Sequence, residues 1–184
     1  MKLLKDKKLH KALKKTTVKE KSTKIWNVIY CLTVLLFLLD SYTSFDIKNQ
    51  TLKTVVYFGI LIGTPLTLIW NLVVIKTSVK RIVSIVLPTI ILILVLYLGP
   101  VIVLFSSGAW QTQTVLYQNE HLTFKTVEFQ MQNLGALGYN KRTVEVLYLT
   151  NLFMITGKVP KDIDKRVEWV KVDKEINELG LKEP

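Results

Sequence analysis

The side chains able to do chemistry are few in this 184-residue chain, and they lie far apart. Nucleophilic catalysis needs a Ser, Thr or Cys beside a positioned base. His121 is the natural base of the C-terminal half, and Glu120 precedes it. Adjacent strand residues point to opposite faces, so Glu120 does not orient His121. One imidazole cannot supply the two or three that a His/Glu metal site uses. Cys31 is the single cysteine, which excludes an internal disulfide and a cysteine-based metal site. Gly135 and Gly138 lack the helix and lysine that follow a phosphate-binding loop. Glu128 and Glu145 form an acid pair only if a hairpin sets them opposite one another, and exposed strand carboxylates are the commoner outcome. No catalytic, metal-binding or cofactor-binding residue is assigned, and an outer-face hydrolase built on Glu128, Glu145 or His121 is the third-ranked reading.

A second group is polar or small and lies within apolar sequence. Asp40 sits about 22 Å into a helix that starts at Ile25, in a hydrocarbon core of about 30 Å. Intramembrane carboxylates point to function. The neighbours Ser41, Tyr42, Thr43 and Ser44 instead favour an interfacial position. Asn71 stands beside Trp70 near a span end, where interface anchoring competes with a bond between helices. Gly59 and Gly63 have the small-xxx-small spacing that lets helices approach closely. Pro65 and Pro88 are expected to kink their helices.

These residues belong to three apolar stretches, 25–45, 54–75 and 82–105, each long enough to cross a bilayer. The mean hydropathy is +0.31. The first stretch is expected to stay as a signal anchor, because no small-x-small cleavage pattern follows it.

The net charge of +11 divides unevenly. Residues 1–24 hold ten lysines against Asp6 and Glu20, a net of +8, and residues 106–184 are neutral. A basic tail, rather than a basic folded face, argues against nucleic-acid binding. The tail is expected to lie on anionic lipid headgroups. Its sharper alternative is a docking segment for a cytoplasmic or nucleic-acid partner. The connection 76–81 has three bases and no acid, while 106–124 has no Lys or Arg. Cytoplasmic flanks carry the excess positive charge, so the N-terminus is expected inside and the C-terminus outside the inner (plasma) membrane.

The segment from 106 onward is rich in Thr, Val, Tyr and Phe and is read as about five mostly antiparallel strands. In the second, Val127, Phe129 and Met131 share one face, with Glu128, Gln130 and Gln132 opposite. Asp173 is expected to cap a short helix through Leu179. The connection holding Leu134, Leu137 and Tyr139 is apolar for a loop. Its leucines are expected to fold into the core, with a partner-contact tip as the alternative.

The expected fold class is therefore three transmembrane helices followed by a small β-rich (α+β) extracytoplasmic domain. The expected function is binding, as an accessory or assembly subunit of a bacterial-type envelope complex, or as an immunity-type partner that blocks a toxin. A homo-oligomer is the other expected partnership. The second-ranked function is an oligomeric channel or transport component using Asp40, Asn71 and the Gly59/Gly63 face.

Overall fold

A computed structural model describes residues 2–181, with side chains for 19–181 apart from residue 78. The tail lysines before residue 19, on which most of the expected lipid contact falls, have side chains outside that set. Three helices are long and apolar enough to cross a membrane, within α1 (Lys2–Tyr42), α2 (Gln50–Val74) and α3 (Ser78–Leu98). A short α4 (Pro100–Phe105) follows, and then a six-stranded antiparallel sheet.

Two helix boundaries differ from the limits of the apolar stretches 54–75 and 82–105. α2 begins earlier because Asn49 Oδ1 accepts the Leu52 amide at 2.9 Å, satisfying an amide of the first turn. The third stretch is not one helix. Gly99 takes φ +89°, its amide bonds Val95 O, and Pro100 opens α4. A proline has no amide to continue the ladder and disfavours helical backbone before it. α2 and α3 both continue through their prolines, Pro65 and Pro88.

Chain packing divides the molecule into two units. One holds Gly59–Pro100 with the α1 residues up to Leu35. Here α1 and α2 run antiparallel along a seam of polar contacts. Trp26 Nε1 donates to Thr67 Oγ1 (2.9 Å), Tyr30 OH to Thr64 Oγ1 (3.0 Å) and Trp70 Nε1 to Thr23 Oγ1 (3.2 Å). The tryptophan and tyrosine rings supply apolar contact while their polar tips stay bonded.

The other unit holds Leu36–Phe58 and Val101–Pro184. Its strands are β1 (Phe45–Ile47), β2 (Trp110–Asn119), β3 (Lys125–Asn133), β4 (Tyr139–Tyr148), β5 (Phe153–Gly157) and β6 (Trp169–Glu175), in the order β1-β5-β4-β3-β2-β6. The sixth strand is β1, which comes from the short connection between the first two spans. Phe45 pairs with Ile155 and Ile47 with Phe153, so the connection is an edge strand rather than a loop. The helix expected from Asp173 is also absent. β6 runs to Glu175, held on β2 by pairs such as Val115 with Lys174. Asp173 has φ +44°, which is incompatible with starting a right-handed helix.

Both faces of the sheet are covered at β3. β3 does place Val127, Phe129 and Met131 opposite Glu128, Gln130 and Gln132. The polar set is the more deeply buried: Gln130 and Glu128 expose 0% and 1% of their surface. On the other face, Val127 packs with Ile163 and Trp169 under the β5–β6 connection.

Candidate functional site

Asp40 lies inside α1 and is buried. Its Oδ2 is 3.0 Å from Lys53 Nζ and accepts Tyr57 OH at 2.6 Å. Its Oδ1 accepts the Ile47 amide at 2.7 Å. The pair is almost wholly enclosed, with side-chain exposures of 0% for Asp40 and 3% for Lys53. An enclosed ion pair persists only with good geometry and filled lone pairs, and both conditions hold here. Three elements meet at one carboxylate: the end of α1, β1 and the first turns of α2.

A second polar chain begins one residue before Ile47. Asp46 Oδ2 accepts Arg142 Nη2 (2.9 Å) and Thr156 Oγ1 (3.0 Å). Arg142 also gives Nε and Nη2 to Gln130 Oε1, at 3.0 and 2.8 Å. Gln130 Nε2 donates to Glu128 Oε2 at 2.9 Å. Glu128 further accepts Thr112 Oγ1 (2.7 Å), Thr126 Oγ1 (2.7 Å) and Tyr148 OH (2.8 Å). The chain ties β1, β5, β4, β3 and β2 together through side chains alone. The Arg142 guanidinium lies over the Trp110 ring, 4.0 Å from its centroid. Burial pushes Arg142 below its usual range, and Asp46, Asp40 and Glu128 pull it back up. Burial, and then the charge of Glu128, push the Tyr148 phenol up.

Chemically this network holds its charges in place. Both carboxylate oxygens of Glu128 face protein donors. Glu145 does not pair with Glu128: the register sets Glu128 against Val144 and Glu145 against Val127, on opposite faces. Glu145 bonds Lys125 instead, at 3.1 Å. His121 is exposed in the β2–β3 turn, where its amide bonds Asn119 Oδ1. Cys31 is exposed. Among the described residues no three His, Cys, Asp or Glu side chains group so as to hold a metal ion.

Asn71 is fully buried and bonds two helices. Its Nδ2 donates to Asn27 Oδ1 (3.1 Å) and to Ser84 O (3.0 Å). The two glycines differ. A Cβ at Gly59 would meet Thr33 Cγ2 at 3.0 Å, on the α1–α2 seam, while one at Gly63 would meet nothing within 4 Å.

In the β3–β4 connection Leu137 does not turn inward as expected. Leu137 is 66% exposed and Tyr139 41%, while Leu134 is half-buried. A single turn of 3-10 helix, Gly135–Leu137, presents them. Leu134 N–H bonds Gly138 O (2.9 Å), Gly138 N–H bonds Gly135 O (3.1 Å), and Gly135 N–H bonds Asn133 Oδ1 (2.7 Å). Gly135 and Gly138 have φ of +63° and +87°, so this turn demands glycine at both places.

Sequence reasoning missed the Arg142–Asp46 pair and the Asp40–Lys53 pair. The signal was present for the second: Asp40 and Lys53 are opposite charges that lie within the two span ends joined by a short connection. No protein-family model, curated protein or solved structure matches the chain.

Proposed function

We propose that this protein is a membrane-anchored binding module, either an accessory or assembly subunit of an envelope complex or an immunity-type protective partner. Its three helices cross the membrane, with the N-terminus and the α2–α3 turn on the cytoplasmic side and the sheet on the other. Large apolar side chains on the helices, including Val28, Ile69, Ile93 and Leu96, are exposed, as lipid-facing residues are. The distribution of Lys and Arg supports the orientation.

The observation that carries the binding reading is the β3–β4 tip. It sets Leu137 and Tyr139 outward on a turn held by its own hydrogen bonds and by two obligatory glycines. An apolar contact presented on a pre-ordered turn loses little freedom on association. The conduction reading is weaker, because both oxygens of Asp40 are already occupied by Lys53, Tyr57 and the Ile47 amide.

The test is photocrosslinking in the native membrane with a benzophenone side chain at Leu137. A discrete adduct with a second protein, lost in the Tyr139→Ala background while the protein still reaches the membrane, is expected. Recovery of the uncrosslinked chain alone, or of nothing but the chain itself from a detergent pull-down, contradicts the reading.

A further inference from the structure

We propose that a cavity walled by α1, the end of α2 and the start of α3 binds the phosphate headgroup of one anionic phospholipid. The inference rests on the membrane reading given above. The cavity measures about 930 Å³ and is lined by Lys19, Lys24, Lys76 and Lys80. Glu20 is its one acidic wall residue. Among the described residues, none of the four lysines lies in an ion pair. Their charge is therefore available to an outside anion.

Two further features favour an anion there. The first turn of α3 has no acidic residue, and Thr77 makes no side-chain cap. The positive end of that helix is uncompensated where the cavity opens. The turn is also held in shape. Arg81 Nε donates to Ile75 O (2.6 Å) and Nη2 to Lys76 O (3.3 Å), binding the two carbonyls just beyond α2. Lys76 and Lys80 are presented from a fixed turn.

The apolar part of the wall selects among anions. Val73, Val79 and Val83 line the same cavity. Inorganic phosphate would engage only the polar part of the wall and leave these valines uncovered. A phospholipid places its phosphate on the lysines and its acyl chains along the valines. Basic pockets between membrane helices bind acidic headgroups in this way. The site is distinct from diffuse attraction to the lysine tail, because it depends on cavity shape as well as charge.

Native mass spectrometry of the full chain in detergent tests this, with phosphatidylglycerol, phosphatidylcholine and inorganic phosphate as probes. The expected result is one phosphatidylglycerol retained per chain at concentrations where phosphatidylcholine is not, with no displacement by inorganic phosphate. Lys80→Gln should weaken retention about fivefold, from the contribution of one lysine near an anionic surface. Val83→Trp keeps every charge, fills the cavity and should also weaken it. Lys5→Gln with Lys8→Gln, in the tail, should not. Equal retention of phosphatidylcholine, displacement by phosphate, or wild-type binding by both cavity variants overturns the lipid site. Solubility of the purified chain without detergent overturns the membrane reading itself, which separates the two failures.

Discussion

Asn71 donates to the carbonyl of Ser84, the acceptor that Pro88 leaves without an amide. In an α-helix residue 88 would bond the carbonyl of residue 84, and a proline has no N–H to do so. A side chain from α2 fills the gap in α3. The asparagine and the proline therefore belong to one arrangement, seventeen positions apart in the sequence.

Asn71→Ala should destabilise the helical unit by about 1–3 kcal/mol, the cost of a buried polar group left unsatisfied. In the Pro88→Ala background an amide is restored at position 88, and the same substitution should cost less. Unfolding of the purified protein in mixed micelles measures all four corners of this cycle. Equal cost in both backgrounds contradicts the pairing of roles.

Asp40→Asn leaves Lys53 enclosed without a counter-charge. Breaking such a pair costs about 3–5 kcal/mol, whereas replacing both partners is close to neutral. Asp40→Asn combined with Lys53→Met should therefore recover most of the loss. Protease resistance of the β1–β5 edge reports it, because the Ile47 amide bonds the same carboxylate. A double variant no better than Asp40→Asn alone would refute the pairing.

Arg142→Lys keeps the charge and loses the planar fork. One ammonium cannot reproduce the bonds to Gln130 and Asp46 while lying flat over Trp110. A loss of about 1–3 kcal/mol is expected. Near-ultraviolet circular dichroism of the tryptophan band should weaken together with stability. An unchanged band with full stability would show that the fork geometry is immaterial.

Tyr148 makes the sheet sensitive to alkali. Its pKa in the folded chain is raised above the ordinary 10.0. Between those two values the unfolded phenol has released its proton and the folded one has kept it. Stability from this group is thus complete below about pH 10 and declines as pH rises further. Tyr148→Phe should be less stable at neutral pH and show a flatter alkaline decline, so the two curves converge. Tyr117, raised by its hydrogen bond to Asp164, leaves a small residual slope. Parallel curves for wild type and Tyr148→Phe would contradict the assignment.

Much of this architecture is legible in the residues. The three apolar runs are long and contrast sharply with their flanks, so helices of spanning length follow from composition. β3 alternates strictly, so its two faces are readable. What alternation does not reveal is that the polar face is buried as well as the apolar one. Glu128 and Gln130 look like a solvated face because their partners, Arg142, Tyr148 and Thr112, lie 12 to 20 residues away. β1 was hidden for a similar reason. Three residues between two spans carry no periodicity, and only pairing with β5, more than 100 residues later, makes them a strand. At the β3–β4 tip the glycines mark a turn, but the outward direction of Leu137 depends on their positive φ angles, which the sequence does not contain.

The most direct test of the anchored-module reading is impermeant thiol labelling of intact cells, on a Cys31→Ser background. Single cysteines would replace Lys161, in the β5–β6 connection, and Lys76, between α2 and α3. The account predicts labelling at position 161 in intact cells and at position 76 only after the membrane is opened. Labelling at 76 but not 161, or at neither until lysis, would contradict it.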